Sequence, residues 1–188
     1  MEGKGQDRIL DIVVDLLETE GYDAVQLREV ARRARTSLAT IYKRYGTRDE
    51  LILAALDCWM EENRYSGLTK PHAIDESLYL GLMRVLRTIF EPWERHPAML
   101  EGYFRARSGP GGDKLIRRGF EAVVPAVMEV VADADPEFIR DAEAILTNVV
   151  YGLLGRFAVG EIAITEIVPS VDRTVQYLTN AYEGTRKS

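Results

Sequence analysis

Apolar residues recur at helical spacing along nearly the whole chain, and this periodicity limits the fold more than any other feature. Over residues 6–20, Ile9, Leu10, Val13, Leu16 and Leu17 share one stripe, with Asp11, Asp15 and Glu18 opposite. Gly21 supplies the residue that closes such a helix. Two short helical patterns follow, near 27–34 with Leu27, Val30, Ala31 and Ala34 inward, and near 37–45. Thr47-Arg48-Asp49-Glu50 has the form of a capping box, with acids where the helix dipole favours them. The helix it starts is expected to reach about Tyr65 through Leu51, Leu53, Leu56, Trp59 and Met60. Residues 66–73 read as a connection, and Ser108-Gly109-Pro110-Gly111-Gly112 as a loop. Further helical patterns lie near 75–95, 97–108, 113–132, 136–158 and 164–184. Pro92, Pro125 and Pro169 sit inside or beside them, each marking a kink or a break. No strand-type alternation and no internal repeat interrupts the pattern, so the expected fold is all-α with about nine helices.

Composition narrows the class. Of 188 residues, 46% are hydrophobic and 29% charged, which suits a soluble globular protein able to bury a core. No run approaches the ~18 apolar residues of a spanning helix, and the start, Met1-Glu2-Gly3-Lys4-Gly5, is not that of a signal peptide. The single cysteine, Cys58, excludes an internal disulfide and fits a reducing cytoplasm. With only His72 and His96 to join it, no zinc site is expected, and no other cofactor is implied. There is no nucleophile–base pairing and no glycine-rich phosphate loop, so no catalytic residue is assigned and no enzyme is expected.

The net charge of −6 argues against nucleic acid until its distribution is considered. Between Arg28 and Arg48 stand seven basic residues, Arg28, Arg32, Arg33, Arg35, Lys43, Arg44 and Arg48, against one acid, Glu29. That segment carries +6 and leaves −12 for the rest of the chain. Such polarity suits a protein that offers one basic face to phosphate and repels it elsewhere.

The same segment carries a helix-turn-helix pattern: two short helices about three residues apart, with Ala31 and Ala34 small enough for a close crossing. At 100° per residue, Leu38, Ile41 and Tyr45 of the second helix face inward. Ser37, Ala39, Thr40, Lys43 and Arg44 face outward, with Tyr42 on the flank. Two cations, hydroxyls and a small residue suit a helix lying in the major groove. Lys43 and Arg44 reach guanine or phosphate in this reading, while Ser37, Thr40 and Tyr42 donate to phosphate oxygens. Arg28, Arg35 and Arg48 complete the expected DNA contacts, with Arg48 aimed at the backbone from a helix start.

Residues 8–56 resemble the DNA-binding domain of the TetR family. The resemblance rests on Val30-Ala31, Ala34, Ser37, Thr40-Ile41-Tyr42, Tyr45, Thr47-Arg48-Asp49-Glu50 and Leu51, in order and at the family spacing. Arg35 replaces the usual turn glycine, where a side chain costs ~1 kcal/mol if the turn keeps its left-handed residue. Thr36 stands for a valine, Ala39 for the second glycine, and Arg44-Tyr45 for a His-Phe pair. Gln26 stands where a threonine often caps the second helix, which weakens that cap.

The resemblance implies a DNA-binding domain over residues 1–47 and an effector-binding and dimerisation domain over 48–188, joined by the helix 48–65. It further implies a cytoplasmic homodimer on palindromic operator DNA, a transcriptional repressor released by a small-molecule effector and without a membrane partner. An activator, or a DNA-binding protein with no effector, fits the same residues. A two-fold dimer is expected mechanically, because two helices ~34–36 Å apart read a palindrome far more selectively than one. Candidate interface residues are Leu146, Val150, Leu153 and Phe157, with Val171, Val175 and Leu178; the alternative is that these helices are simply core. Candidate pocket residues are Trp59, Met83, Leu86, Phe90, Trp93, Tyr103, Phe104, Phe120, Met128 and Tyr151, a lining suited to an apolar ligand. Arg105, Arg107 and His96 either serve an anionic ligand or solvate helix ends.

Overall fold

A computed structural model describes residues 3–69 and 76–186, and nine α-helices run through them. In chain order they are α1 (Gly3–Thr19), α2 (Leu27–Ala34), α3 (Leu38–Tyr45), α4 (Arg48–Met60), α5 (Leu78–Arg95), α6 (Pro97–Arg107), α7 (Asp113–Val130), α8 (Pro136–Ala158) and α9 (Ile167–Arg186). No strand occurs among the described residues, and the all-α expectation holds. The connection expected over 66–73 is described only to Thr69, and His72 lies outside the described residues.

Local chemistry explains the boundaries. α1 stops before Gly21, whose φ of +83° with ψ of 175° is a backbone conformation that glycine adopts freely and L side chains rarely do. A 3-10 turn, Tyr22–Ala24, leads to α2, whose N-cap Gln26 makes no side-chain cap bond. α4 starts on the full capping box: Glu50 N donates to Thr47 Oγ1 at 3.1 Å, and Thr47 N to Glu50 Oε2 at 3.2 Å. Gly46 precedes it at φ +70°, and a Cβ there would lie 2.5 Å from Glu50 Oε2, so a side chain would displace the box. After Met60 the helix widens into a π turn, Glu61–Tyr65.

The prolines resolve in two ways. α5 continues through Pro92 and α7 through Pro125, so neither breaks its helix. Pro169 falls in the first turn of α9, where a missing N–H removes no intrahelical bond.

The chain packs as two units. The first comprises Met1–Asn63 and His96–Phe120. In it α1 lies against α2, α4 and α6, over a core that includes Val13, Leu16, Leu17, Val25, Val30, Ile41, Leu51, Leu56, Met60, Met99 and Leu100. The second comprises Arg64–Arg95 and Glu121–Ser188. There α9 packs on α5 and α8, burying Leu82, Val85, Ile89, Phe90 and Trp93 with Ile167, Val171 and Val175. Tyr79 Oη donates to Asp172 at 2.7 Å and Arg87 at 2.8 Å, and the tyrosine's donation in particular holds that carboxyl below its usual range.

Candidate nucleic-acid interface

The turn between α2 and α3 is built by backbone geometry. Arg35 sits at φ +53°, ψ +44°, left-handed, as the family glycine would. Its N–H donates to Arg32 O at 3.3 Å, and Thr36 N to Ala31 O at 3.0 Å, which closes α2 in the Schellman manner. Ser37 then caps α3, accepting from Thr40 N at 3.0 Å, while the two hydroxyls bond to each other at 2.8 Å. One of these two hydroxyl protons therefore stays available for an outside acceptor.

α3 lies with Ile41 fully buried and Leu38 and Tyr45 half-buried. Ser37, Ala39, Tyr42, Lys43 and Arg44 are exposed, Tyr42 to 51%, and Thr40 is half-buried. Tyr42 thus stands exposed beside the two cations of α3.

The seven basic residues divide into three sets: a pair bound to Glu29, four exposed side chains, and Arg48. Arg32 and Arg33 both donate to Glu29, and Arg33 also reaches Glu20 at 2.6 Å. Donation from Arg32, then from Arg33, drives the Glu29 carboxyl down to about 2. Among the seven, the side chains of Arg28, Arg35, Lys43 and Arg44 are exposed and carry no hydrogen bond or ion pair among the described residues.

Arg48 is placed otherwise than the sequence suggests. Its Nε donates to Val25 O and its Nη2 to Tyr22 O at 2.6 Å, and the guanidinium lies 4.8 Å from the Tyr22 ring centroid. Only 27% of the side chain is exposed. A phosphate contact would have to compete with two carbonyls that already hold it. Sequence reasoning also missed the role of Arg105 of α6, whose two Nη atoms donate to the Asp23 carboxylate at 2.8 and 2.7 Å. The donation holds Asp23 below its ordinary range. No local signal pairs residues 82 positions apart. His96 Nδ1 likewise stands 2.5 Å from Glu18 Oε1.

The ten candidate pocket residues do not form one cluster within either unit. Trp59, Tyr103, Phe104 and Phe120 belong to the first unit; Met83, Leu86, Phe90, Trp93, Met128 and Tyr151 belong to the second. Phe120, Met128 and Tyr151 are exposed, because α7 and α8 turn those faces outward. Met83, Leu86, Phe90 and Trp93 are buried along α5. A cleft of about 410 Å³ in the second unit is lined instead by Arg87, Glu91, Glu94, Thr165, Val168, Pro169 and Asp172.

The candidate dimer residues differ in how far one chain buries them. Val171, Val175 and Leu153 are buried within one chain, and Leu146, Val150, Phe157 and Leu178 are half-buried on the same side, since α8 and α9 pack on each other. Leu153, Val171 and Val175 therefore have little area left to bury against a second copy of the chain. The opposite face of α8 presents Ile145, Asn148, Tyr151, Gly152, Gly155 and Val159, and α9 presents Tyr177. Val159 is 71% and Tyr177 76% exposed. Nothing stands within 4 Å of a Cβ placed on Gly152 or Gly155.

Residues 9–55 match the family model of bacterial regulatory proteins of the tetR family, and residues 76–178, more than half the chain, match that of the tetracyclin repressor-like C-terminal domain. The chain belongs to the TetR family. It is a transcriptional regulator with a DNA-binding helix-turn-helix, and the all-α TetR fold is reproduced in solved structures. A TetR transcriptional regulator from Rhodococcus sp. RHA1 superposes with a TM-score of 0.68 at 19% identity, covering 95% of this chain and 97% of that one. A second TetR-like regulator from the same source gives 0.62 at 17% identity, over 92% and 93%. Among sequence relatives, the transcriptional repressor KstR of Rhodococcus jostii is 32% identical over 100 residues, 53% of this chain. The chain spans only 45% of the length of that repressor. An HTH-type regulator in the dhlA 5′ region of Xanthobacter autotrophicus is 27% identical over 77% of this chain and 87% of its own length.

Proposed function

We propose that this TetR-family regulator is a homodimeric repressor that reads a palindromic operator with α3 and is released by a largely apolar small molecule. The observation that carries the reading is the sorting of charge: Arg28, Arg35, Lys43 and Arg44 stand exposed and unpaired while their neighbours are neutralised. Phosphate contacts supply most of the affinity in such complexes, and base-edge contacts from α3 supply the sequence preference. Lys43 and Arg44 are assigned to guanine or phosphate, Ser37, Thr40 and Tyr42 to phosphate oxygens, and Ala39 to close approach of the helix. KstR, a relative, is named a repressor, which supports the sign of regulation.

The division of labour follows residues 1–47 for DNA and 48–188 for effector and dimer, with the helix 48–65 between them. Dimerisation is assigned to the open face of α8 and α9, where Ile145, Tyr151, Val159 and Tyr177 flank two glycines that admit a close neighbour. The effector is assigned to the buried Met83, Leu86, Phe90 and Trp93 of α5, whose apolar and polarisable surfaces fit an apolar ligand. Such a ligand releases DNA only by preferring the conformation that does not bind it. No helix among the described residues is long and apolar enough to cross a membrane, and action in the cytoplasm is proposed.

The test is selection of duplexes from a random-sequence library by the purified chain. The expected product is a palindrome with half-sites about one helical turn, or a multiple of it, apart. Lys43→Ala and Arg44→Ala then lower affinity, each reducing the salt slope by ~0.9 for every phosphate left without its cation. Enrichment of no sequence, or full affinity in both variants, refutes the assignment of α3.

A further inference from the structure

Two guanidiniums from distant parts of the chain lie over the ring of Tyr22, in the turn that delivers the chain from α1 to α2. Arg48, the first residue of α4, lies 4.8 Å from the ring centroid and donates to the carbonyls of Tyr22 and Val25. Arg105, near the end of α6, lies 4.4 Å from the same centroid and grips the next residue, Asp23, through two hydrogen bonds. The turn therefore has its ring, one carboxylate and two carbonyls held by side chains that belong to neither reading helix.

α2 begins four residues after Asp23 with no side-chain cap of its own, because Gln26 Nε2 donates backwards to Asp23 O at 2.9 Å. Its starting direction is thus set by the turn. α6, in turn, is fastened to the first unit along its length. His96 at its N-cap meets Glu18 of α1 and the edge of Trp59, Met99 and Leu100 are fully buried, and a Cβ placed on Gly102 would stand 3.5 Å from Leu17 Cδ2. A helix fixed in this way presents Arg105 to the turn as a rigid support.

We propose that Arg48 and Arg105 are positioning residues for DNA binding: they fix the 3-10 turn that orients α2 and α3, and neither contacts phosphate. The inference rests on α3 being the recognition helix. The pair Arg105–Asp23 is 50% and 80% exposed, and an exposed ion pair alone contributes little. Here bidentate geometry and a cation over an aromatic ring are added to it, which is the arrangement in which such a contact counts.

Full-length wild type, Arg48→Ala, Arg105→Ala, Arg105→Lys and, as a reference, Lys43→Ala are titrated with a duplex that wild type selects from a random library, between 50 and 200 mM salt. Arg105→Ala and Arg48→Ala are expected to lose about three- to tenfold in affinity with the wild-type salt slope, whereas Lys43→Ala lowers the slope by ~0.9. Arg105→Lys, which keeps the charge and loses the fork, falls between Arg105→Ala and wild type. Unchanged affinity in both alanine variants, or a slope lowered by about one in either, overturns the proposal. Hydrogen exchange without DNA gives an independent reading at the Ala24, Val25 and Gln26 amides, which bond within the turn. They should exchange about threefold faster or more in both alanine variants while α9 is unaffected. Unaltered exchange refutes the support even if no duplex is selected, and failure of selection by wild type refutes instead the reading of α3.

Discussion

Replacing Arg35 by glycine separates two properties that this one residue couples. Its backbone is left-handed, with φ at +53°, a conformation that costs an L side chain ~1–2 kcal/mol relative to glycine. Glycine also loosens the unfolded chain, which opposes the gain by ~0.4–1 kcal/mol. The side chain is exposed and has no hydrogen bond or ion pair among the described residues, so its removal takes away no native interaction. The net expectation is a stabilisation of about 0.5–1 kcal/mol, or ~1–4 °C in melting temperature for a chain of this size. Arg35 is also one of the four basic residues assigned to the DNA face under the proposed function, so the same change should lower operator affinity and reduce the salt slope by ~0.9. Arg35→Asn is the control, since asparagine tolerates the left-handed region and removes only the charge. Urea unfolding and binding titrations at several salt concentrations measure both effects. A less stable Arg35→Gly would show that the side chain supports the native state after all; an unchanged slope would remove Arg35 from the DNA face.

Three further changes probe other features. Thr47→Ala removes one half of the capping box and should destabilise by about 1 kcal/mol in urea unfolding, with Thr47→Ser close to wild type. Glu29 titrates at about 2 in the folded chain, well below its ordinary value. Its pairs with Arg32 and Arg33 therefore stabilise fully above about pH 4.5, and that contribution fades as the pH falls toward 2. Glu29→Gln should be less stable than wild type at pH 6 and converge on it near pH 2; a difference independent of pH would contradict the linkage. Tyr177→Glu on the open face of α9 should yield a folded monomer in sedimentation, whereas Val171→Asp, on the buried face, should unfold the second unit. A dimer that survives Tyr177→Glu and Gly152→Arg together would place the interface elsewhere.

The helices were legible because each carries its own signals. Thr47 and Glu50 announce α4 three residues apart, Gly21 ends α1, and Leu38, Ile41 and Tyr45 fix which side of α3 turns inward. Those are local relations, settled within one or two turns of helix. The direction of α8 was not legible. Its periodicity separates the side of Leu146, Val150, Leu153 and Phe157 from that of Asn148, Gly152 and Gly155, but only the packing on α9 decides which is inside. The availability of each arginine was hidden for a similar reason. Arg33 is neutralised partly by Glu20, and Arg105 is engaged by Asp23, through pairings that depend on how α1, α2 and α6 cross. Pro92 carries the same lesson: a residue that disfavours a helix interior is tolerated where the rest of a long helix, here α5 against α9, is secured by packing.

The first unit is discontinuous in sequence, since α6 and the start of α7 complete a core begun by α1 to α4. Met99 and Leu100 are as deeply buried there as Leu16 or Leu51. A hybrid regulator made by joining residues 1–63 to the remainder of another protein would inherit a core with one wall missing, and would expose Leu17 and Met60 unless the new α6 matched them. If α3 reads the operator as proposed, that preference is not a detachable cassette: a change of specificity is confined to the exposed positions of α3 and its flanking turn, while the buried partnership beneath stays fixed.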